Sequence, residues 1–348
     1  MPTKMTLRIG VFGAGSIGCT LGGQLVAAGA DVVLVGRLGD ELAAHGLTVI
    51  GLGGRRVHVP AARLVLARDA SALAACDVVL VTVKSNDTAA AARALAPVLR
   101  PGTIVVSFQN GVSSPRLLRE GLGAGAPVVA GMVPFNVVRE PGAVFRQATS
   151  GPIGVERAAG RAFLAALAAT GLPLDVREDL SGVQWTKLLL NLNNSVNALA
   201  GVPLRQELGQ RDYRRVFAAA FAEGLACLRA AGIRPVRVGR MLPALAPTVL
   251  ALPDALFFRL ASALVKIDPA ARSSMLDDLD RRRATEIDFL NGEIVRLGER
   301  HRVPTPVNRG IVALVRAAEA AATGSPRLAA GRLLEEVRQV GHPPVSDG

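Results

Sequence analysis

Residues 5–18 read MTLRIGVF-GAGSIG, and this stretch decides the fold. The first eight residues form an apolar strand broken only by Thr6, Arg8 and Gly10. Gly13-Ala14-Gly15-Ser16-Ile17-Gly18 follows at once, then small residues suited to a helix until about Ala28, then a second strand from Asp31 to Val35. Strand, tight turn, helix and strand at this length make a βαβ unit, the context in which a GxGxxG sequence carries weight. Gly13 permits the turn and Gly15 lets a pyrophosphate approach the backbone. Gly18 lets helix and sheet pack closely, and free N–H groups at the helix start, near Ser16 and Ile17, face the phosphates. The expectation is a dinucleotide site.

The end of the second strand bears on which dinucleotide. An NAD site places Asp or Glu there for the ribose hydroxyls; here Val35 is followed by Gly36-Arg37, with Asp40 and Glu41 later, opening the next helix. A guanidinium pairs bidentately with a 2′-phosphate, so the reading is NADP(H), with Arg37 as the phosphate reader.

Further strands are expected at 57–59, 64–66, 77–83, 103–108 and 127–132, with two short ones in 143–155 and a helix over 87–99. The run Asp77–Val83 is almost wholly apolar, as a strand buried on both faces requires. From about residue 160 the period becomes helical, over 160–170, 179–200, 210–231, 274–283, 285–300 and 306–322. The fold class is therefore α/β: a Rossmann-like parallel-sheet N-terminal domain (1–172), then an all-helical C-terminal domain (173–325) and a C-terminal extension (326–348) holding a short helix and a loose tail. The proline-rich, hydrophobic stretch 233–265 has no clear period; its part 242–258 suits a lid or a subunit contact, which would make a homodimer.

Composition narrows the function classes. The 348 residues are 50% hydrophobic and 20% charged, so a folded chain with more than one core is expected. Net charge is +12, yet aromatics are 3% and the arginines are scattered, which argues against nucleic acid as a partner. Cys19, Cys76 and Cys227 form no disulfide framework, and His45, His58, His301 and His342 have no metal-ligand spacing, so no metal is expected. The start resembles no secretory signal and no apolar run suits a bilayer, which together read as a cytoplasmic protein without a membrane. Only four of the 40 basic residues are lysines, Lys4, Lys84, Lys187 and Lys266; against an arginine background, each draws attention as a compact, titratable ammonium.

Ligands of such sheets lie beyond the carboxyl ends of the strands. Lys84 follows the 77–83 strand and Asn110-Gly111 follows the 103–108 strand, so both reach that edge. The strongest polar signal is Trp185-Thr186-Lys187-Leu188-Leu189-Leu190-Asn191-Leu192-Asn193-Asn194-Ser195-Val196-Asn197. On one helix turning about 100° per residue, Lys187, Asn191 and Asn194 share a narrow face with Ser195 at its margin. Asn193 and Asn197 point elsewhere, to backbone or another helix. A lysine flanked by amides suits proton donation to a carbonyl oxygen while the amides hold the substrate, although a buried polar network locking two helices is also compatible.

Ser274 and Glu286 stand 12 residues apart, about 18 Å along one unbroken helix. If both touch one small substrate, the helix must break, and Thr285-x-x-Asp288 resembles a capping box. A break near Arg283–Thr285 is predicted, with Glu286 in a first turn.

Together, GAGSIG, the VTVK ending in Lys84, the QNG with Asn110, WTKLLLN with Lys187 and Asn191, SSMLDDL with Ser274 and TEIDFLNG with Glu286 resemble the ketopantoate reductase (2-dehydropantoate 2-reductase) family, in family order across residues 7–312. The resemblance implies NADPH-dependent reduction of a small-molecule 2-keto acid, ketopantoate, to (R)-pantoate on the route to pantothenate and coenzyme A. It implies Lys187 as general acid and Glu286 as the carboxylate that holds a substrate hydroxyl. Asn110, Asn191 and Ser274 would orient substrate, and Lys84 would lie between cofactor and substrate. Hydride transfer needs nicotinamide and keto carbon held close, so domain closure is expected to matter.

Two positions depart from the family pattern: the second helix asparagine is Ser195, with Asn194 one position away, and an asparagine three residues before the serine is Ala271. The 233–265 stretch is also longer than in compact members. These departures keep two alternatives open, a reductase of a different 2-keto acid and a non-catalytic NADPH-binding sensor.

Overall fold

Alternate residues of the central strands face opposite ways, and an apolar core lies on each side. Ile9 and Val11, Val32 and Leu34, and Val78 and Leu80 enter one core; Val33, Val35, Val79 and Val81 enter the other. That period of two, buried on both faces, is what a covered parallel sheet requires. The computed structural model describes residues 7–237, 242–261 and 271–341. Positions 5–6 of the expected first strand, 238–241 and 262–265 of the unplaced stretch, residues 266–270, and the tail 342–348 lie outside the described residues.

The chain divides into Met1–Leu180 and Ser181–Gly348. The first unit runs β1 (Arg8–Phe12), α1 (Ser16–Ala27), β2 (Asp31–Val35), α2 (Gly39–His45), β3 (Leu47–Ile50), β4 (Arg56–Val59), β5 (Val65–Ala67), β6 (Val78–Val81), α3 (Thr88–Leu95), β7 (Ile104–Ser107) and α4 (Ser114–Leu122). It continues through β8 (Val128–Met132), β9 (Val137–Glu140), β10 (Val144–Gln147), β11 (Ile153–Glu156), α5 (Arg161–Ala169) and β12 (Leu174–Arg177). Eight strands form one sheet in the order β12-β11-β8-β7-β6-β1-β2-β5. Its pairings are parallel except β8 with β11. The expected parallel sheet thus carries one antiparallel junction.

Four short strands make a second sheet, β4-β3-β10-β9, absent from the sequence reading apart from β4 and β10. Leu47, Val49 and Phe145 bring it into the core beneath α1. Glu41 fastens this sheet to α2: it accepts from the Ala143 N–H at 3.0 Å and pairs with Arg139. The Ala143 hydrogen bond, ahead of the Arg139 charge, holds the Glu41 carboxyl below its usual range.

The second unit contains α6 (Ser181–Asn191), α7 (Asn193–Ala200), α8 (Leu204–Leu208), α9 (Arg211–Ala230), α10 (Ala246–Ala251), α11 (Asp254–Ala261), α12 (Ser274–Asp280), α13 (Asn291–His301), α14 (Pro306–Ala321) and α15 (Ala330–Gly341). No helix among the described residues is long and apolar enough to cross a membrane.

Three expectations are corrected. The domain boundary at 172/173 falls too early, because β12 pairs in register with β11, Ile153 opposite Leu174, and so belongs to the first unit. The described part of the expected C-terminal extension (326–348) is not separate: α15 packs on α9 and α14 and buries Leu333 and Val337, side chains whose burial is worth about 1.5–3 kcal/mol each. The single helix over 179–200 is two helices, interrupted at Leu192, where the Ser195 hydroxyl donates to the Leu192 carbonyl at 2.7 Å and competes for that acceptor.

Part of the unplaced stretch now has a place. Residues 246–261 form α10 and α11, anchored by Arg214, which is 0% exposed. Its guanidinium donates to the carbonyls of Leu208, Leu250 and Leu252 at 2.8–3.1 Å and to Asp254 at 2.8 Å. It also lies 4.1 Å from the Phe257 ring centroid. The arginine thereby satisfies carbonyls at two helix ends.

Candidate active site

The glycine turn begins where β1 ends. Gly13 has φ +110°, a conformation costly for a residue with a Cβ, and the N–H groups of Gly13 and Ala14 both donate to the Val35 carbonyl, at 3.0 and 2.9 Å. A Cβ on Gly18 would stand 2.3 Å from the Gly13 carbonyl oxygen and 2.7 Å from Thr82 Oγ1, so only glycine lets α1 start this close to the strands. A Cβ on Gly15, by contrast, would meet nothing nearer than 4.0 Å, which leaves that backbone open to a ligand. Helix α1 begins at Ser16, with Ile17 next, and has neither a capping side chain nor an acidic residue in its first turn. Its first N–H groups thus suit an anion, and residues 13–18 fit a dinucleotide pyrophosphate.

Arg37 is exposed, two residues beyond the end of β2. Asp40 and Glu41 lie in the first turn of α2, as expected, and both carboxylates are engaged: Asp40 with Arg68 at 2.7 Å, Glu41 with Arg139. Neither takes the place of the ribose-binding acid at the strand end.

Lys84 and Asn110 both stand past the carboxyl ends of their strands, β6 and β7. Ser85 Oγ donates to the Asn110 carbonyl at 2.9 Å. Beneath them lies Gln109, a buried amide that sequence reasoning left without a role. Its amide Nε2 gives hydrogen bonds to Thr88 Oγ1 at 2.7 Å and to the Lys84 carbonyl at 3.4 Å, and its Oε1 accepts from Ser107 at 3.0 Å. One side chain therefore ties the two loop ends together. A polar residue at the end of a buried strand was the available signal.

In the second unit, Lys187 lies on α6, Asn191 closes that helix, and Asn194 lies in the first turn of α7. Burial pushes the Lys187 ammonium down to about 8, while the negative charge of Glu286 pulls it back up. Lys187 and Glu286 thus act on each other across 99 residues of sequence. Thr186, beside the lysine and missed in the sequence reading, is buried. Its hydroxyl stands 2.8 Å from the Gly182 carbonyl oxygen and 3.0 Å from the Val236 carbonyl oxygen, which share its one proton, and accepts from the Val236 N–H at 2.9 Å. The strap after α9 is so fixed to the helix that carries the lysine.

The helix predicted to break does so. Helix α12 ends at Asp280, residues 281–286 form a connection, and a 3-10 turn occupies Ile287–Phe289. Glu286 immediately precedes that turn. The expected capping box does not form: Thr285 Oγ1 accepts from the Ile287 N–H at 3.2 Å, two residues on, where the box needs the Asp288 N–H, and Glu286 itself is the residue that opens the turn. The Thr285 N–H, which Asp288 would take in such a box, donates to Glu319 on α14 at 2.6 Å, and Asp288 pairs with Arg316 at 2.6 Å.

Ser274 is the exposed first residue of α12. It is placed by Ser273, whose Oγ donates to the Asn194 carbonyl at 3.1 Å and whose N–H donates to Asn197 Oδ1 at 3.0 Å. These bonds bring the Ser274 and Asn194 segments together. Ser195 is not part of that gathering: it is 0% exposed and its hydroxyl is spent on its own helix. Asn193 and Asn197 turn away from the lysine toward Glu207, at 3.1 and 3.2 Å. Among the described residues no group of three or more His, Cys, Asp or Glu side chains is gathered to hold a metal.

A lowered ammonium, a carboxylate beside it, and amide and hydroxyl groups on adjoining turns can protonate an oxygen and orient a polar acid. Comparison with known proteins bears on this chemistry. The chain matches the family description "Ketopantoate reductase PanE/ApbA" over residues 9–160 and its C-terminal counterpart over 179–319. It is 32% identical to a 2-dehydropantoate 2-reductase of Halobacterium salinarum over 324 residues, 90% of this chain and 99% of that protein. A solved PanE/ApbA family ketopantoate reductase from Ralstonia eutropha superimposes with a TM-score of 0.77 at 31% identity, covering 91% of this chain and 99% of that one. A D-mandelate dehydrogenase solved with NADH and anilino(oxo)acetate gives 0.75 at 18% identity over 91% and 99% of the two chains, a likeness of fold.

Proposed function

The chain belongs to the ketopantoate reductase family, and from that premise we propose that it reduces the 2-keto group of ketopantoate to (R)-pantoate with NADPH. The observation that carries this reading is the pairing of Lys187, lowered to about 8 by burial, with the charge of Glu286. An ammonium titrating near working pH is suited to give a proton to a developing alkoxide.

When bound, reduced nicotinamide supplies the hydride. The chain's own groups do the rest. The glycine turn 13–18 makes room for the pyrophosphate, which the backbone N–H groups at the start of α1, from Ser16 and Ile17, would hold, and Arg37 reads the 2′-phosphate. Lys187 donates a proton from Nζ to the keto oxygen, which takes up negative charge as the keto carbon is reduced. Glu286 accepts a hydrogen bond from the substrate hydroxyl, Asn110, Asn191 and Asn194 orient the acid, Ser274 meets its carboxylate, and Lys84 adds a positive charge beside cofactor and substrate. A homodimer belongs to the same reading, supported by the exposed Leu242, Leu245, Leu256, Phe258 and Leu260.

Two experiments test these assignments. Arg37→Ala is expected to weaken NADPH binding about 10- to 100-fold, the loss of a charge-assisted phosphate contact, with little change for NADH. Fluorescence titration with both nucleotides reads it, and an unchanged ratio assigns the phosphate to another group. For the substrate, kcat/KM is compared between ketopantoate and 2-ketoisovalerate, which lacks the hydroxyl. Ketopantoate is expected to lead.

One observation favours a second reading, a reductase of a different 2-keto acid. Ser195 stands where the family has its second asparagine, and it offers no group beyond its own helix. Higher kcat/KM with a 2-keto acid lacking the hydroxyl selects that reading.

A further inference from the structure

Behind the helix that carries Asn194 lies a carboxyl group the reaction does not use. Glu207, on the short helix α8, is 0% exposed. Its Oε2 accepts from Asn193 Nδ2 at 3.1 Å and from Asn197 Nδ2 at 3.2 Å. Two other atoms of this cluster, Glu207 Oε1 and Asn193 Oδ1, are buried with no hydrogen-bond partner among the described residues. Both are acceptors as an ionised carboxylate and an amide would present them, and buried acceptors without donors are disfavoured.

One proton satisfies both. A carboxylic acid and a primary amide are complementary: the amide N–H₂ donates to the carboxyl C=O while the carboxyl O–H donates to the amide C=O. The first half of that two-point pair is already present between Asn193 and Glu207. We propose that Glu207 is a neutral carboxylic acid, donating from Oε1 to Asn193 Oδ1, and that it acts as a positioning residue for the substrate groups Asn194 and Ser274.

The path from Glu207 to those groups is short. Asn197, held by Glu207 and by the Val202 carbonyl at 2.8 Å, accepts from the Ser273 N–H at 3.0 Å. Ser273 in turn donates to the Asn194 carbonyl and caps α12 by accepting from the Leu276 N–H at 3.1 Å. Ser274 is the next residue. The acid thus fixes α7, which packs on α12, at the point where both present polar groups.

The charges around it agree with a neutral acid. Burial pushes the Glu207 carboxyl up to about 8, against the pull of Asn197 and Asn193. Helix α7 faces it with amides, and Arg205 on α8 is exposed. The titratable group facing it from α9 is Tyr213, whose phenol is raised first by burial and then by Glu207, and which donates to the Leu328 carbonyl at 2.7 Å. The buried Arg214 guanidinium, also on α9, donates to the neighbouring Leu208 carbonyl at 2.9 Å and to Asp254 at 2.8 Å, while Glu207 takes its bonds from the two amides.

The test uses Glu207→Gln, which keeps a donor and an acceptor without a proton to lose, and Glu207→Leu, which keeps volume alone. Relative to the value of 4.5 for an unfolded chain, the folded acid holds its proton to about 8. Its stabilisation is therefore complete below 4.5 and is lost as pH rises through about 8. The melting temperature of Glu207→Gln minus that of wild type is expected to grow over that window; a difference constant with pH overturns the neutral acid. This readout needs no substrate and stands apart from the proposed activity.

The positioning role rests on that activity and is read by kinetics. Glu207→Gln is expected to stay within about twofold of wild type in KM for ketopantoate, while Glu207→Leu raises it about tenfold or more with NADPH affinity unchanged. Equal KM values in all three proteins, or a glutamine variant as impaired as the leucine one, overturn the role. Wild type that reduces no 2-keto acid at all contradicts the proposed function, while the melting series still reports on the proton.

Discussion

Lys187→Ala is expected to lower kcat with ketopantoate by about a thousandfold, within the range of general-acid contributions, and to leave NADPH affinity within about twofold. The split follows from position. Lys187 lies on α6 in the second unit, whereas the glycine turn and Arg37 belong to the first. A group that protonates the keto oxygen matters as charge develops there, so its loss falls on turnover. The pH dependence has a fixed sign. The donor must carry its proton, so kcat/KM is expected to be level below about 8 and to fall as pH rises through that value. In the alanine variant this limb disappears. Stopped-flow and steady-state rates from pH 6 to 10 check both points; an alanine variant with wild-type turnover removes Lys187 from the chemistry.

Glu286→Ala carries the second large effect, with two signatures. A carboxylate accepting the substrate hydroxyl is worth about 1.5–3 kcal/mol, so kcat/KM for ketopantoate is expected to fall about 10- to 150-fold. For 2-ketoisovalerate, which has no hydroxyl to offer, the fall is expected to be smaller. The other signature is electrostatic. The charge of Glu286 raises the Lys187 ammonium against its burial, so its removal moves the alkaline limb of the pH profile below about 8. An equal loss for both acids with an unmoved limb shows that Glu286 neither holds the hydroxyl nor acts on the lysine.

The parts of this account that were legible in the sequence are those set by short-range geometry. Gly13 and Gly18 announce the turn because a Cβ does not fit at either, as the clashes it would meet show, while Gly15 leaves its backbone open to a ligand. The break before Glu286 was readable because an unbroken helix would hold it about 18 Å from Ser274. Thr285 marked where it falls, but the carboxylate that takes its N–H is that of Glu319, 34 residues later, and not that of Asp288. That partner is set by tertiary packing and leaves no local trace.

The second sheet was harder. Strand β9 is largely exposed and shows no buried alternation, and β3 is four residues long and uniformly buried, so neither has the period that identifies a strand. Ser195 looked like a margin of the substrate face, because a hydroxyl turning back on its own helix cannot be read from spacing. Glu207 lies in Leu-Arg-Gln-Glu-Leu, which reads as an ordinary exposed polar turn. Its burial is created by α7, and by Asn193 and Asn197 turning away from the lysine.

The most direct test is the initial rate of NADPH oxidation with ketopantoate over a wide concentration range, wild type beside Lys187→Ala. Saturable turnover in wild type, falling about a thousandfold in the variant while NADPH still binds, is the result predicted for a lysine-assisted ketopantoate reductase. An unsaturated, slow rate that Lys187→Ala leaves unchanged contradicts it.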